Sequence, residues 1–145
     1  MKTAIFMLAA ALGAAGCGGS MMSDRDWIRS MVDDARQEND AHRVAIDAAG
    51  SLAQVRDEMD RHEATMDDMM GTMGTGMDGM THCTGSGMQY LRAMHGDMNG
   101  EMDQHGALMD QSTDLDTASA EVTRHAGAMD EMVDGMDVAS DRMGC

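Results

Sequence analysis

Displaced by 63 residues, the chain falls on itself. His42 meets His105 and His62 meets His125, while Met66, Met69, Met73 and Met80 land on Met129, Met132, Met136 and Met143. Glu38, Asp47, Leu52, Glu58 and Arg61 land on Glu101, Asp110, Leu115, Glu121 and Arg124. The correspondence runs without a gap over about 55 residues, so whatever one half folds into, the other half should fold into as well. Repeat 1 spans about 23–80 and repeat 2 about 86–143.

Within each repeat the apolar, Met and His residues step by three and four, the spacing of one helix face. One stripe runs from Ile28 through Asn39 and His42 to Ala49. The next runs from Leu52 through Met59, His62, Met66 and Met69 to Met73. A third runs from Met88 through His95, Met98, Met102 and His105 to Met109, and a fourth from Leu115 through Val122, His125, Met129 and Met132 to Met143. The stepping collapses to repeated threes at Ala49–Leu52 and at Met109–Leu115, which predicts turns at 49–51 and 112–114. "SDRD" from Ser23 and "SGMQ" from Ser86 read as capping boxes, and Met22 with Trp27 as a hydrophobic staple. The Gly-rich stretch 71–87 reads as the one long connection. The expected fold is an all-α, up-down-up-down antiparallel four-helix bundle over 23–145, made of two duplicated helical hairpins.

Short turns decide which residues face each other. In the first hairpin His42 falls opposite Met59 and Asn39 opposite His62; in the second, His105 falls opposite Val122 and Met102 opposite His125. Stacked by the repeat, four His from four helices converge in two adjacent layers, about 5 Å apart for three to four residues of helical rise. Met66, Met98 and Met129 lie in the next layer, and Met69, His95 and Met132 in the one below. Glu is scarce, six against 20 Asp, yet it precedes each of these His by four: Glu38–His42, Glu58–His62, Glu101–His105 and Glu121–His125. The antiparallel register also sets Glu38 level with His62 and Glu58 level with His42.

Buried His and Glu need partners. They can satisfy one another as a polar band that fixes register, or they can serve a metal. The candidate metal-binding residues are His42, His62, His95, His105 and His125, with Met59, Met66, Met69, Met98, Met102, Met129 and Met132, and Glu38, Glu58, Glu101 and Glu121. Thioether and imidazole together favour copper; Glu with His would instead suit Zn, Fe or Mn in a di-metal centre. The spacing here is Glu-x-x-x-His, not the Glu-x-x-His of ferritin-like bundles. In plan, the ligand-lined bundle resembles the bacterial copper-storage proteins, which use Cys where this chain has Met and His. Haem is a further candidate, since His42 with His105, or His62 with His125, would form diagonal axial pairs. No Cys-x-x-Cys-His motif is present.

The first residues, with Lys2, an apolar run from Ala4 to Ala15 and "AAGC" ending at Cys17, form a secretory signal too short to span a membrane as a mature helix. "AAGC" resembles the lipobox of bacterial lipoproteins, with Ala14 where Leu is commonest. That resemblance implies a signal peptide at 1–16, a lipidated linker at 17–22, and a membrane anchor on Cys17. Gly18 after the Cys implies the outer membrane, facing the periplasm. A formal charge of −16 and no lysine after Lys2 argue against nucleic acid, because phosphate contacts need basic side chains. No nucleophile–base set, P-loop or nucleotide motif points to an enzyme. Cys83, in the loop, and Cys145, the last residue, are expected to form a disulfide at one end of the bundle; His82 and Cys83 with Met77 and Met80 are the alternative, a Cu(I) uptake site.

Overall fold

The computed structural model describes residues 22–145 and shows an all-α bundle of four helices, α1 (Asp24–Asp47), α2 (Leu52–Gly79), α3 (Ser86–Asp110) and α4 (Leu115–Ser140). The expected signal segment and Cys17 lie outside the described residues. Among those described, no helix is long and apolar enough to cross a membrane. α1 packs on α2 and α4, and α3 packs on the same two helices, so α1 and α3 stand on a diagonal. Falling residue numbers pair with rising ones: His42 with Glu58 and His62 with Glu38 across α1–α2, and Arg92 with Asp78 and His95 with Met70 across α2–α3.

Three helices begin on side-chain caps. Ser23 accepts from the Asp26 amide (3.1 Å), Ser51 from that of Gln54 (3.3 Å) and Asp114 from that of Thr117 (2.8 Å), each occupying a donor the first turn leaves unpaired. The expected capping box at Ser86 does not form: α3 starts on Gly85, without a side-chain cap. Trp27 packs against the core, but Met22 is 60% exposed.

The Gly-rich stretch is the largest departure from expectation. α2 runs on through Gly71, Gly74 and Gly76 to Gly79, and the connection is only Met80–Gly85. Met73, Met77 and Met80 continue the buried stripe, and that burial outweighs a glycine cost of about 1 kcal/mol apiece in a helix. Gly76 is there for space. A Cβ on it would sit 2.0 Å from the Trp27 ring.

The stripe itself slips once. Met70 and Val133 are buried, whereas Met69 and Met132 are only partly so, giving steps of four and four after His62 and again after His125. Three, four and four make an 11-residue period, which keeps a nearly straight helix facing the core where a strict heptad would drift off it.

The apolar core is divided in two. A large cluster includes Ile28, Val32, Met66, Met70, Met98, Met102, Met129 and Met136; a small one holds Ile46, Val55, Met59, Met109, Ala118 and Val122. At the far end of the large cluster, Cys83 and Cys145 are joined by a disulfide. The Gly85 and Gly87 amides donate to the carbonyls of Met143 (2.8 Å) and Arg142 (3.0 Å).

Candidate metal centre

Between the two apolar clusters lie His42, His62, His105 and His125, one from each helix and each 0% exposed. The rings of His42 and His62 stack with centroids 3.9 Å apart, and those of His105 and His125 do the same. The two stacks meet edge to face, with centroids 5.5 Å apart for His42–His105 and 5.6 Å for His62–His125.

Every ring is held from behind by a carboxylate. Nδ1 lies 3.1 Å from Glu58 for His42, 2.8 Å from Glu38 for His62, 3.0 Å from Glu121 for His105 and 2.9 Å from Glu101 for His125. Each carboxylate comes from the other helix of the same hairpin. Arg61 bridges Glu38 and Glu58, and Arg124 bridges Glu101 and Glu121. One guanidinium fork thereby clamps the two carboxylates of each hairpin.

This clamp fixes the protonation. Burial pulls His42 down to about 4, with the neighbouring His62 adding to the effect, and burial also lowers His105 and His125. Burial works to raise Glu38, Glu58 and Glu121, but their bonds to His and Arg outweigh it and hold all three below the usual carboxylate value. His42, His105 and His125 are therefore neutral, and Glu38, Glu58 and Glu121 ionised, at neutral pH. A carboxylate only accepts, so Nδ1 carries the proton and Nε2 a lone pair.

Four buried Nε2 atoms therefore share one layer between the apolar clusters. Those of His42 and His105 face each other at 3.4 Å, and those of His62 and His125 are buried with no hydrogen-bond partner from the protein. An uncompensated buried acceptor is costly, and lone pairs facing across this distance repel. A cation reverses both effects. For metal–nitrogen bonds of 2.0–2.1 Å, a tetrahedral ion spaces its ligands by roughly 3.3–3.4 Å, close to the His42–His105 separation. A carboxylate on the far nitrogen is the usual support of a metal-bound His. Four carboxylates against two guanidiniums leave this layer two negative charges, which one divalent or two monovalent cations would neutralise. The buried His, Met and Glu network suits metal binding.

The expected ligands divide accordingly. The structure brings together His42, His62, His105 and His125. It sets Glu38, Glu58, Glu101 and Glu121 behind them, bonded to Nδ1 and to arginine. Met59 lies in the small apolar cluster and Met66, Met98, Met102 and Met129 in the large one, with Met69 and Met132 at its margin. His95 stands apart on the α2–α3 seam, where Nε2 donates to the Met70 carbonyl (2.8 Å). Three relevant residues were absent from the candidate set. In the sequence, Arg61 and Arg124 are a repeat-matched pair three residues after a Glu. Asn39 is 3% exposed; its Nδ2 donates to the Ala126 carbonyl (3.3 Å), and its Oδ1 has no partner from the protein.

A second donor group lies at the disulfide end, where ligand atoms of Asp24, His82, Cys83 and Cys145 stand within 4.8 Å of one another. Neither protein-family models nor curated proteins nor solved structures give a match to this chain.

Proposed function

We propose that this protein is a metal-binding bundle of the bacterial envelope, anchored through lipid on Cys17, that holds copper at its four-histidine layer for storage, buffering or resistance. One observation carries the reading: four buried imidazoles, each bonded at Nδ1 to a carboxylate, converge from four helices, with Nε2 of His42 and His105 3.4 Å apart and Nε2 of His62 and His125 buried without a hydrogen-bond partner. Imidazole suits copper, and thioethers in the flanking layers add soft donors on either side. Two Cu(I) ions would match the charge of the layer as well as one divalent ion does.

The test is anaerobic competition. The chain is equilibrated with Cu(I), Zn(II), Fe(II) and Mn(II), desalted and analysed for retained elements. Retained copper in preference to the others supports the proposal. One zinc or iron per chain would move the assignment to a divalent His centre and leave Met as core filler. No retained metal would return the layer to a packing device that sets helix register. The anchor is tested by intact mass of chain purified from envelopes, where loss of residues 1–16 and an acylated Cys17 are expected; an unprocessed or unmodified chain would remove that part of the reading.

A further inference from the structure

The second donor group shares no residue with the histidine layer. Its members arrive from three stretches: Asp24 from the first turn of α1, His82 and Cys83 from the connection before α3, and Cys145 from the end of the chain. His82 Nε2 stands 2.9 Å from Asp24 Oδ2, and Cys83 Sγ stands 3.4 Å from the same oxygen. The His82 side chain is 67% exposed, so the group is open to solvent. The disulfide sulfurs carry no charge and are poor ligands, whereas two thiolates are strong ones. The backbone bonds from Gly85 and Gly87 to Met143 and Arg142 hold the same ends together independently of the sulfurs.

We infer that reduction of the Cys83–Cys145 disulfide converts this group into a second metal site, offering two thiolates, an imidazole and a carboxylate to one thiophilic cation of the zinc or copper(I) class. Two sulfurs, a nitrogen and an oxygen suit tetrahedral zinc; the two sulfurs and the nitrogen alone suit three-coordinate copper(I). The redox step is thiol–disulfide exchange with a dithiol reductant. Cys145 is exposed and Cys83 is 6% exposed, so a reductant thiolate attacks Cys145 Sγ, and Cys83 Sγ leaves with the bonding pair. The second thiol of the reductant then displaces Cys145. The reductant ends as a disulfide, the cysteine pair gains two electrons and two protons, and both protons pass to solvent when the cation binds.

The test compares oxidised full chain with chain reduced by a phosphine, which adds no competing thiol. Both are equilibrated anaerobically with zinc or with copper(I), desalted, counted for metal and treated with iodoacetamide. The reduced chain is expected to retain one more ion than the oxidised chain, that ion should protect Cys83 and Cys145 from alkylation, and His82→Gln should abolish the gain without changing oxidised-state binding. A gain with zinc that Asp24→Asn removes assigns the four-donor site. A gain with copper(I) alone that Asp24→Asn leaves intact assigns the three-donor site; both support the inference. Equal retention in the two redox states, thiols alkylated at the same rate with and without metal, or loss of helical circular dichroism on reduction would each overturn it.

Discussion

Replacing His62 and His125 together by Leu separates a metal centre from a packing band, because only a metal centre makes the parent more stable than the variant when metal is added. Each of these residues buries an Nε2 without a hydrogen-bond partner, a feature that costs about 1–3 kcal/mol. Leu removes that cost and fills a similar volume. It also removes the Nδ1–H donors from Glu38 and Glu101, a loss of about 1.5–3 kcal/mol for a bond to a charged group. Those carboxylates keep two bonds each, from Arg61 and from Arg124. Gain and loss nearly cancel, so the metal-free double variant should melt within a few degrees of the parent. With metal the order changes. An ion at a thousand times its dissociation constant stabilises the parent by about 4 kcal/mol, or roughly 15 °C for a domain of this size, and leaves the variant unmoved. Calorimetric melts of both chains, with and without buffered Cu(I), give all four values. A variant that still gains the full metal-dependent rise would refute the assignment of these nitrogens as ligands.

Three other perturbations probe the layer and its frame. Glu38→Gln keeps an acceptor for His62 but removes the charge, so metal affinity should fall roughly 10- to 100-fold while helix content stays constant; an affinity within twofold of the parent would show that the carboxylate does not support the ring. Acid should destabilise the metal-free chain before ordinary carboxylates titrate. Unfolding returns His42 from about 4 to about 6.5, so the unfolded chain takes up a proton that the folded chain refuses. Its stability contribution is intact above pH 6.5 and is lost as pH falls toward 4, on the order of 3 kcal/mol for this residue alone. Denaturant midpoints that stay flat between pH 7 and pH 5 would contradict a buried neutral His42. Finally, Gly127→Ala, with open space around the new Cβ, should stabilise α4 by about 0.5–1 kcal/mol, whereas Gly76→Ala should destabilise through its 2.0 Å approach to Trp27; equal thermal shifts would mean α2 does not pack on Trp27 there.

The sequence made the histidine convergence legible because spacing alone fixes it. Steps of three and four set the faces, short turns set the opposite partners, and from these Glu38 comes level with His62 and Glu58 with His42. The turns after α1 and α3 were legible for the same reason, as faults in a period. What stayed hidden depended on distant residues. Gly76 reads as a loop residue until Trp27, far away in sequence, is seen filling the place of its side chain. The slip from Met69 to Met70 was hidden because adjacent methionines satisfy either period. The role of Glu was ambiguous because Glu-x-x-x-His sets a carboxylate beside a metal or behind a ring equally well. Arg61 and Arg124 decide for the second position, and their charge, read alone, is only that of a solvated helix face.

The distribution of bonds around the layer connects metal binding to assembly. All four carboxylate–imidazole bonds and both arginine clamps join helices of one hairpin: α1 with α2, or α3 with α4. Within the layer, the two hairpins meet ring against ring, with Nε2 of His42 facing Nε2 of His105 and only Asn39 donating across, to the Ala126 carbonyl and to Asp130. Each hairpin is therefore a preorganised half-site with two oriented nitrogens, whereas four nitrogens exist together only when the hairpins dock. Docking is favoured by the Met-rich apolar cluster and the disulfide end, but opposed at the layer by buried acceptors that find no donor. A cation bound there, as proposed, would turn the opposing contact into a favourable one. If an ion binds there as proposed, its binding energy would be expressed as closure of the bundle.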